Sequence, residues 1–349
     1  LGKKVYVTVN IFAHNEDINE LSEYLLSLEE AGVDALLISD LGVWNIARKV
    51  VPSMSLHVST QANTCNWAAV EAWKNLGAER VVLARELSIA EISEIDKKCD
   101  VELEVFVHGA MCISYSGRCY LSSYLTGRDG NRGECAQVCR WNYKLVEQNR
   151  PDQEFPIEED ERGTYIMNSK DLCLLDLIPE LTEAGVDSLK IEGRMKSVHY
   201  VATVVSVYRK AIDAWYSNPK EFTIKSEWRD ELEKVSHRPY FYGFAVNRPD
   251  ENGQIYTTSS YVQTRDFVGI VTGYDKETNT AYIEQRNRMV AGEELEVLMP
   301  DGTLLDIVLT DMRDESGNQF DVANRVQQIF SIKSAVCLQP YSLLRRKSK

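Results

Sequence analysis

Five cysteines cluster at positions 112, 119, 135, 139 and 173 of a 349-residue chain that carries eight in all. Their spacing is C-x6-C-x15-C-x3-C, with a further 33 residues before Cys173. Thiolates are soft ligands, and four of them arriving from different directions suit an iron–sulfur cluster. Zinc ribbons pair short C-x2-C knuckles, and these gaps do not match them. Glycines at 109, 117 and 133 allow the backbone to wrap closely around such a group. A zinc site and merely buried thiols remain alternatives on spacing alone, since cysteine is among the most buried residue types. Cys65, Cys99 and Cys337 stand outside the group and read as incidental.

The elements that must position these residues repeat one unit: a short apolar strand, a polar turn, an amphipathic helix. Strands are expected at residues 5–10, 35–40, 56–60, 80–84, 103–107 and 188–192, with a helix from Leu21 to Ala31 that Gly32 ends. Spacings of about 20–30 residues fit βα units on a parallel sheet. Asn10, Asp40, Gln61, Arg85, His108 and Glu192 each follow an apolar run. That is the catalytic rim of a (β/α) barrel, although an open doubly wound sheet also binds ligands beyond its strand ends. Six units are visible where a closed barrel needs eight, so two N-terminal units are expected to be absent from this chain. An insertion of about residues 109–170 carries most of the cysteines. The expected division is a barrel over 1–217, a charged connector over 218–237, and a small β-barrel domain over 238–349. Gly292 and Pro300-Asp301-Gly302 mark hairpins in the last of these.

A net charge of −14 disfavours loose, non-specific binding to nucleic acid. No apolar run approaches the roughly 18 residues needed to span a bilayer. The chain runs from Leu1-Gly2-Lys3-Lys4 straight into a strand, so no leader, no membrane association and a cytoplasmic location are expected. In that setting clustered cysteines imply metal or redox chemistry rather than disulfides.

Several stretches resemble the peptidase U32 (collagenase-like) family. They are His108-Gly109-Ala110-Met111-Cys112 through Ser122, Asn168-Ser169-Lys170-Asp171-Leu172-Cys173, and Lys190-Ile191-Glu192-Gly193-Arg194-Met195-Lys196-Ser197. His237-Arg238-Pro239-Tyr240-Phe241-Tyr242-Gly243-Phe244 and Glu284-Gln285-Arg286-Asn287-Arg288 extend the resemblance over nearly the whole chain. It is closest to the bacterial branch that converts the wobble uridine of tRNA to 5-hydroxyuridine. The resemblance implies a TIM-like barrel, a [4Fe–4S] cluster, prephenate as hydroxyl donor, tRNA as partner and, for some members, a paralogous U32 subunit. It implies Cys112, Cys119, Cys135 and Cys173 as cluster ligands, with Cys139, one helical turn from Cys135, as the alternative.

A dicarboxylate donor needs fixed cations. Arg85, Arg118, Arg140, Arg194 and Lys170 are the candidates, because arginine forks onto carboxylates; each is otherwise a structural ion pair. Lys190 is a weaker candidate that would point outward. His108 and Glu192 are the acid–base candidates, and each is otherwise a structural hydrogen-bonding group. Tyr240, Phe241, Tyr242 and Phe244 offer either stacking faces for unpaired bases or an apolar seam between domains. The tail Arg345-Arg346-Lys347-Ser348-Lys349 reads as a mobile basic segment. Competing activities are a peptidase, a hydroxylase of ribosomal RNA or of a small quinone precursor, and a non-catalytic cluster protein. The peptidase reading lacks a His-Glu-x-x-His helix and a Gly-x-Ser-x-Gly elbow.

Overall fold

The computed structural model describes residues 2–348 apart from 113, 116–117, 120, 142–144, 148–149, 156–168 and 250–260. The chain forms two compact units, Leu1–Glu192 with Pro239–Ser260, and Gly193–Arg238 with Tyr261–Lys349.

The first unit is built on parallel strands β1 (Tyr6–Val9), β2 (Ala35–Ile38), β3 (Ser55–Val58), β4 (Arg80–Val82) and β5 (Glu102–Ala110). They pair in sequence order, Tyr6 opposite Ala35 and Ala35 opposite Ser55. Helices α1 (Asn15–Asn19), α2 (Leu21–Glu30), α3 (Leu41–Val50), α4 (Trp67–Asn75) and α5 (Ile89–Lys98) alternate with them. All four residues of β2 are buried, as a strand covered on both faces requires. The helix starts are fixed by caps: Asp40 accepts from the Val43 amide at 2.9 Å, Asn66 from that of Ala69 at 2.9 Å, and Ser88 closes a reciprocal box with Glu91. Gly32, at φ +76°, takes the left-handed conformation that ends α2.

Beyond β5 come α6 (Leu121–Thr126), a ribbon of β6 (Leu145–Glu147) and β7 (Arg150–Phe155), then β8 (Asp171–Cys173), α7 (Ile178–Glu183) and β9 (Ser188–Ile191). β9 joins β5 in parallel, as the sixth consecutive strand. β8 runs antiparallel to the end of β5, and β10 (Tyr240–Phe241) lies parallel to β8. Six parallel strands in sequence order agree with the expected βα units. Among the described residues, β1 pairs only with β2, and β9 only with β5, so the sheet stays open. A closed barrel of this type takes eight strands.

The second unit contains α8 (Val198–Ser217), α9 (Ser226–Leu232) and an antiparallel sheet. Its strands are β11 (Arg265–Asp275), β12 (Thr280–Gln285), β14 (Glu294–Leu298), β15 (Leu304–Val308), β17 (Ile329–Lys333) and β18 (Leu343–Lys347), in the order β15-β14-β18-β11-β12-β17. A separate short pair joins β13 (Met289–Val290) to β16 (Val322–Ala323). Val268, Val271, Ile283, Leu295, Val297, Phe330 and Leu344 lie in its core. The turn at Pro300-Asp301-Gly302 is the expected hairpin, closed by the Gly302 amide on the Met299 carbonyl at 2.8 Å.

The division differs from the one expected at 217 and 238. Helix α8 packs with the C-terminal sheet because its buried face carries His199 and Thr203, both 3.4 Å from Arg345 on β18. The expected connector holds α9, with Trp228, Glu231 and Leu232 buried. The aromatic run after Pro239, assigned above to the C-terminal domain, belongs instead to the first unit, where β10 extends the β8 edge.

The basic tail is also placed differently. Arg345 and Arg346 lie in β18, not on a mobile end. Arg345 is fully buried between Glu231, at 2.5 Å, and Glu296, at 2.7 Å. Arg346 pairs with Glu293 at 3.0 Å.

Two buried histidines make stability depend on pH. Burial and then Arg80 lower His57 to about 4, and burial and then Arg345 lower His199 to about 4. An unfolded histidine titrates near 6.5, so between pH 6.5 and 4 the unfolded chain binds more protons. Stability from these groups is therefore complete above about pH 6.5 and lost as pH falls toward 4, His199 contributing at most about 3 kcal/mol. Urea unfolding between pH 7 and 4 is expected to show this slope, and His199→Gln to flatten it. An unchanged slope in the variant would remove His199 as its source.

Candidate functional site

In the first unit, alternation along β5 puts Glu104 and Phe106 on one sheet face, and the pairing with β9 shifts register between Phe106 and His108. Buried Glu104 accepts from Lys190 Nζ at 2.9 Å, Ser188 Oγ at 2.8 Å and Arg80 Nη1 at 3.2 Å. Burial alone would raise the Glu104 carboxyl, but Lys190, Ser188 and Arg80 outweigh it and hold the group below its usual range. Lys190 therefore turns to this buried carboxylate rather than outward. Two cations approach the Phe106 ring, Lys190 at 5.5 Å and Arg85 at 3.8 Å from its centroid.

Arg85 marks the C-terminal end of this polar column. Its Nη1 donates to the Ala110 carbonyl at 2.9 Å, and its Nη2 stands 3.9 Å from Glu192 Oε2. His108 is buried, stands opposite Cys173 in the β5–β8 register, and has its ring centroid 5.1 Å from that of Tyr240. Gly109 explains how Glu192 comes so near. At φ +109°, a Cβ at Gly109 would lie 2.5 Å from the Glu192 carbonyl oxygen, so only glycine permits this approach of β5 to the end of β9.

The cysteine segment is fastened over the ends of β1 and β3. The Phe12 amide donates to Asn131 Oδ1 at 2.7 Å, Arg132 pairs with Asp17 at 3.1 Å, and Asn63 Nδ2 donates to the Tyr115 carbonyl at 3.2 Å. Cys119 and Cys135 lie within electrostatic reach of Cys112. Burial pushes the Cys112 thiol up; the Ser114 backbone opposes this, Cys119 adds to it, Arg85 opposes it and Cys135 adds to it. The Leu121 amide points to Cys119 Sγ and the Gln137 amide to Cys135 Sγ, each at 3.4 Å. Such N–H groups support thiolates in iron–sulfur sites.

Cys139 follows Gln137, which sits at φ +54°, and it lies in a short 3-10 turn, Val138–Arg140. Residues 134–137 are not helical, so Cys135 and Cys139 do not share a helical face as expected from their spacing. Among the described residues, no three His, Cys, Asp or Glu side chains converge closely enough to hold one metal ion. Four soft thiolates arriving from different directions are the donor chemistry that a cubane cluster takes.

The other candidates are scattered. Arg118 is exposed, 5.6 Å from the Phe12 ring, and donates to the Gln61 carbonyl at 3.3 Å. Lys170 is half-buried just before β8. Arg194 is exposed and belongs to the other unit. The side chain of Arg140, and all of Asn168, fall outside the described residues. Sequence reasoning missed Phe106 and Glu104. The period-2 spacing of these two residues along the β5 run was the available signal.

The family model of peptidase family U32 matches residues 1–255, and that of the peptidase family U32 C-terminal domain matches residues 263–345. "tRNA hydroxylation protein P1" of Bacillus subtilis (strain 168) is 44% identical over 99% of this chain and 82% of its own length. "tRNA hydroxylation protein P" of Escherichia coli (strain K12) is 38% identical over 93% of this chain and 79% of its own length. "23S rRNA 5-hydroxycytidine C2501 synthase" of the same organism is 34% identical over 68% of this chain but only 36% of its own length. On these matches, this chain belongs to peptidase family U32.

Proposed function

We propose that this protein hydroxylates the wobble uridine of tRNA, with prephenate as donor and a [4Fe–4S] cluster on Cys112, Cys119, Cys135 and Cys173. The observation that carries the reading is the cysteine segment laid across the strand ends, with Arg85 close enough to Cys112 to act on its charge. The printed names of the relatives that cover most of the chain support RNA as substrate. When bound, the cluster supplies soft-ligand redox chemistry that no side chain here offers. Arg85 holds a donor carboxylate, Glu192 orients Arg85, and His108 is the group near Cys173 able to hold or release a proton. The peptidase alternative is weaker, because a cysteine nucleophile needs a depressed pKa and burial pushes Cys112 the other way.

The experiment is to incubate anaerobically purified protein with unmodified tRNA, with and without prephenate, and to read nucleosides by mass spectrometry. A gain of one oxygen on uridine only with prephenate is expected. Arg85→Met is expected to lower kcat/KM for prephenate by about 10- to 100-fold, the range for losing a charged hydrogen bond. Oxygen incorporation without prephenate, or an Arg85 variant indistinguishable from wild type, would remove the donor assignment.

A further inference from the structure

The turn that follows β3, Thr60–Thr64, lies beneath Tyr115 and Arg118 of the cysteine segment. Some of its polar groups are accounted for, Thr60 Oγ1 donating to the Leu83 carbonyl at 3.1 Å. The Gln61 amide meets Ser59 Oγ at 3.4 Å, the Gln61 carbonyl accepts from Arg118, and Asn63 Nδ2 donates to Tyr115. Among the described residues, three side-chain oxygens on the same turn are shielded from solvent and have no hydrogen-bond partner: Gln61 Oε1, Asn63 Oδ1 and Thr64 Oγ1. A buried acceptor without a donor loses its hydration for no return, so such atoms persist where a ligand completes them. Asn63 is moreover held at φ +54°, a left-handed conformation that asparagine tolerates better than most side chains.

The chemistry of these atoms restricts the ligand. Two of the three are carbonyl oxygens, acceptors only. They repel a carboxylate, so they do not serve the dicarboxylate donor, whose place is at Arg85. They call for an N–H. The Watson–Crick edge of uracil presents an N–H at N3, flanked by two carbonyls, whereas N3 of cytosine is itself an acceptor. The Gln61 amide, with an acceptor and a donor side by side, complements half of the uracil edge, while Asn63, whose Nδ2 is held by Tyr115, offers its acceptor alone. Enzymes that modify a base read it in this way after unstacking it.

We infer that Gln61 and Asn63 are specificity-determining residues whose side-chain oxygens share the single N3–H of the target uracil in a three-centre hydrogen bond. This rests on the reading that uridine in RNA is the substrate. It assigns the pyrimidine to the end of β3 and the donor carboxylate to the end of β4. Gln61 and Asn63 thus reject both cytosine and an N3-substituted uracil.

The test uses the cluster-loaded protein, prephenate and anticodon stem-loop RNAs carrying uridine, 3-methyluridine or cytidine at the target position. Single-turnover hydroxylation is measured for wild type, Gln61→Met and Asn63→Gly, the last keeping the left-handed backbone. The wild type is expected to be at least about tenfold slower on 3-methyluridine than on uridine, the loss of one hydrogen bond with an acceptor left bare. In each variant the rate on uridine falls and the uridine to 3-methyluridine ratio moves toward one. This ratio is independent of the fraction of active protein, so partial loss of folding or iron does not mimic the result. Variants that keep the full wild-type ratio overturn the assignment while leaving the proposed function standing. A wild type that hydroxylates none of the RNAs overturns the proposed function, and this assignment with it.

Discussion

Cys112→Ala, purified without oxygen, is expected to lose the visible absorption and most of the iron and sulfide of the wild type, which should carry about four irons per chain. The surroundings of this cysteine give the reason. Its thiol is within electrostatic reach of Cys119, Cys135 and Arg85. Burial makes ionisation costly without iron, so the thiolate form depends on the metal that replaces its proton. With the cluster lost, hydroxylation should fall below detection. Cys337→Ala serves as the control, because Cys337 is exposed and in the other unit. Cys139→Ala and Cys173→Ala then separate the two candidates for the fourth ligand: the variant that retains iron is not it. A colourless or zinc-bearing wild type, with Cys112→Ala unchanged, would sink the cluster.

Arg345→Met is expected to destabilise the protein by about 3–5 kcal/mol, the usual cost of removing one partner from a buried ion pair. Arg345 joins α9, through Glu231, to β14, through Glu296, and its Nη1 reaches His199 and Thr203 on α8. Lys234 also bonds Glu231, at 2.8 Å, and Glu296, at 2.9 Å. Burial would raise the Glu296 carboxyl, but Lys234 and Arg345 keep it lowered, so removing Arg345 strips away part of what keeps it charged. Chemical denaturation followed by circular dichroism measures the difference. Arg346→Met is the comparison: Arg346 is partly exposed in its ion pairs with Glu293 and Asp266, and its loss should cost about 1 kcal/mol or less. Equal effects of the two substitutions would show that the buried network is not what holds α8 and α9 to the sheet.

The contrast between these two arginines shows what the sequence reveals and what it hides. Apolar runs ending in a polar residue locate the parallel strands to within a residue or two at most ends, because a short strand buried on both faces leaves little freedom in composition. The cysteines stand out in the sequence as candidates for a similar reason: soft ligands in one short stretch have few other uses. A run of basic residues, however, reads as solvated surface. Nothing local to Arg345 announces Glu231, 114 residues away, which turns it into core. Lys190 misled in the same manner, since its direction depends on the register with β5 and on Glu104. Helix α8 was visible as a helix, but its amphipathic face does not state which of two hydrophobic cores it joins. The orphaned oxygens of Gln61 and Asn63 have no sequence signature at all; only the loop that covers them makes them unusual.

The chain passes from the first unit to the second at Glu192, returns at Pro239, and leaves again after Ser260. No single cut therefore yields two complete units, and a fragment ending at residue 217 or 238 lacks the β10 strand that lies against β8. During synthesis, the edge of the sheet beside Cys173 stays bare until the ribosome has also made α8 and α9. Delivery of iron to a nascent chain would then find Cys112, Cys119 and Cys135 already emerged, but the wall beside Cys173 unfinished. Truncation series and fusion breakpoints for this protein should be placed with that threading in mind, not at the boundary between the two family models.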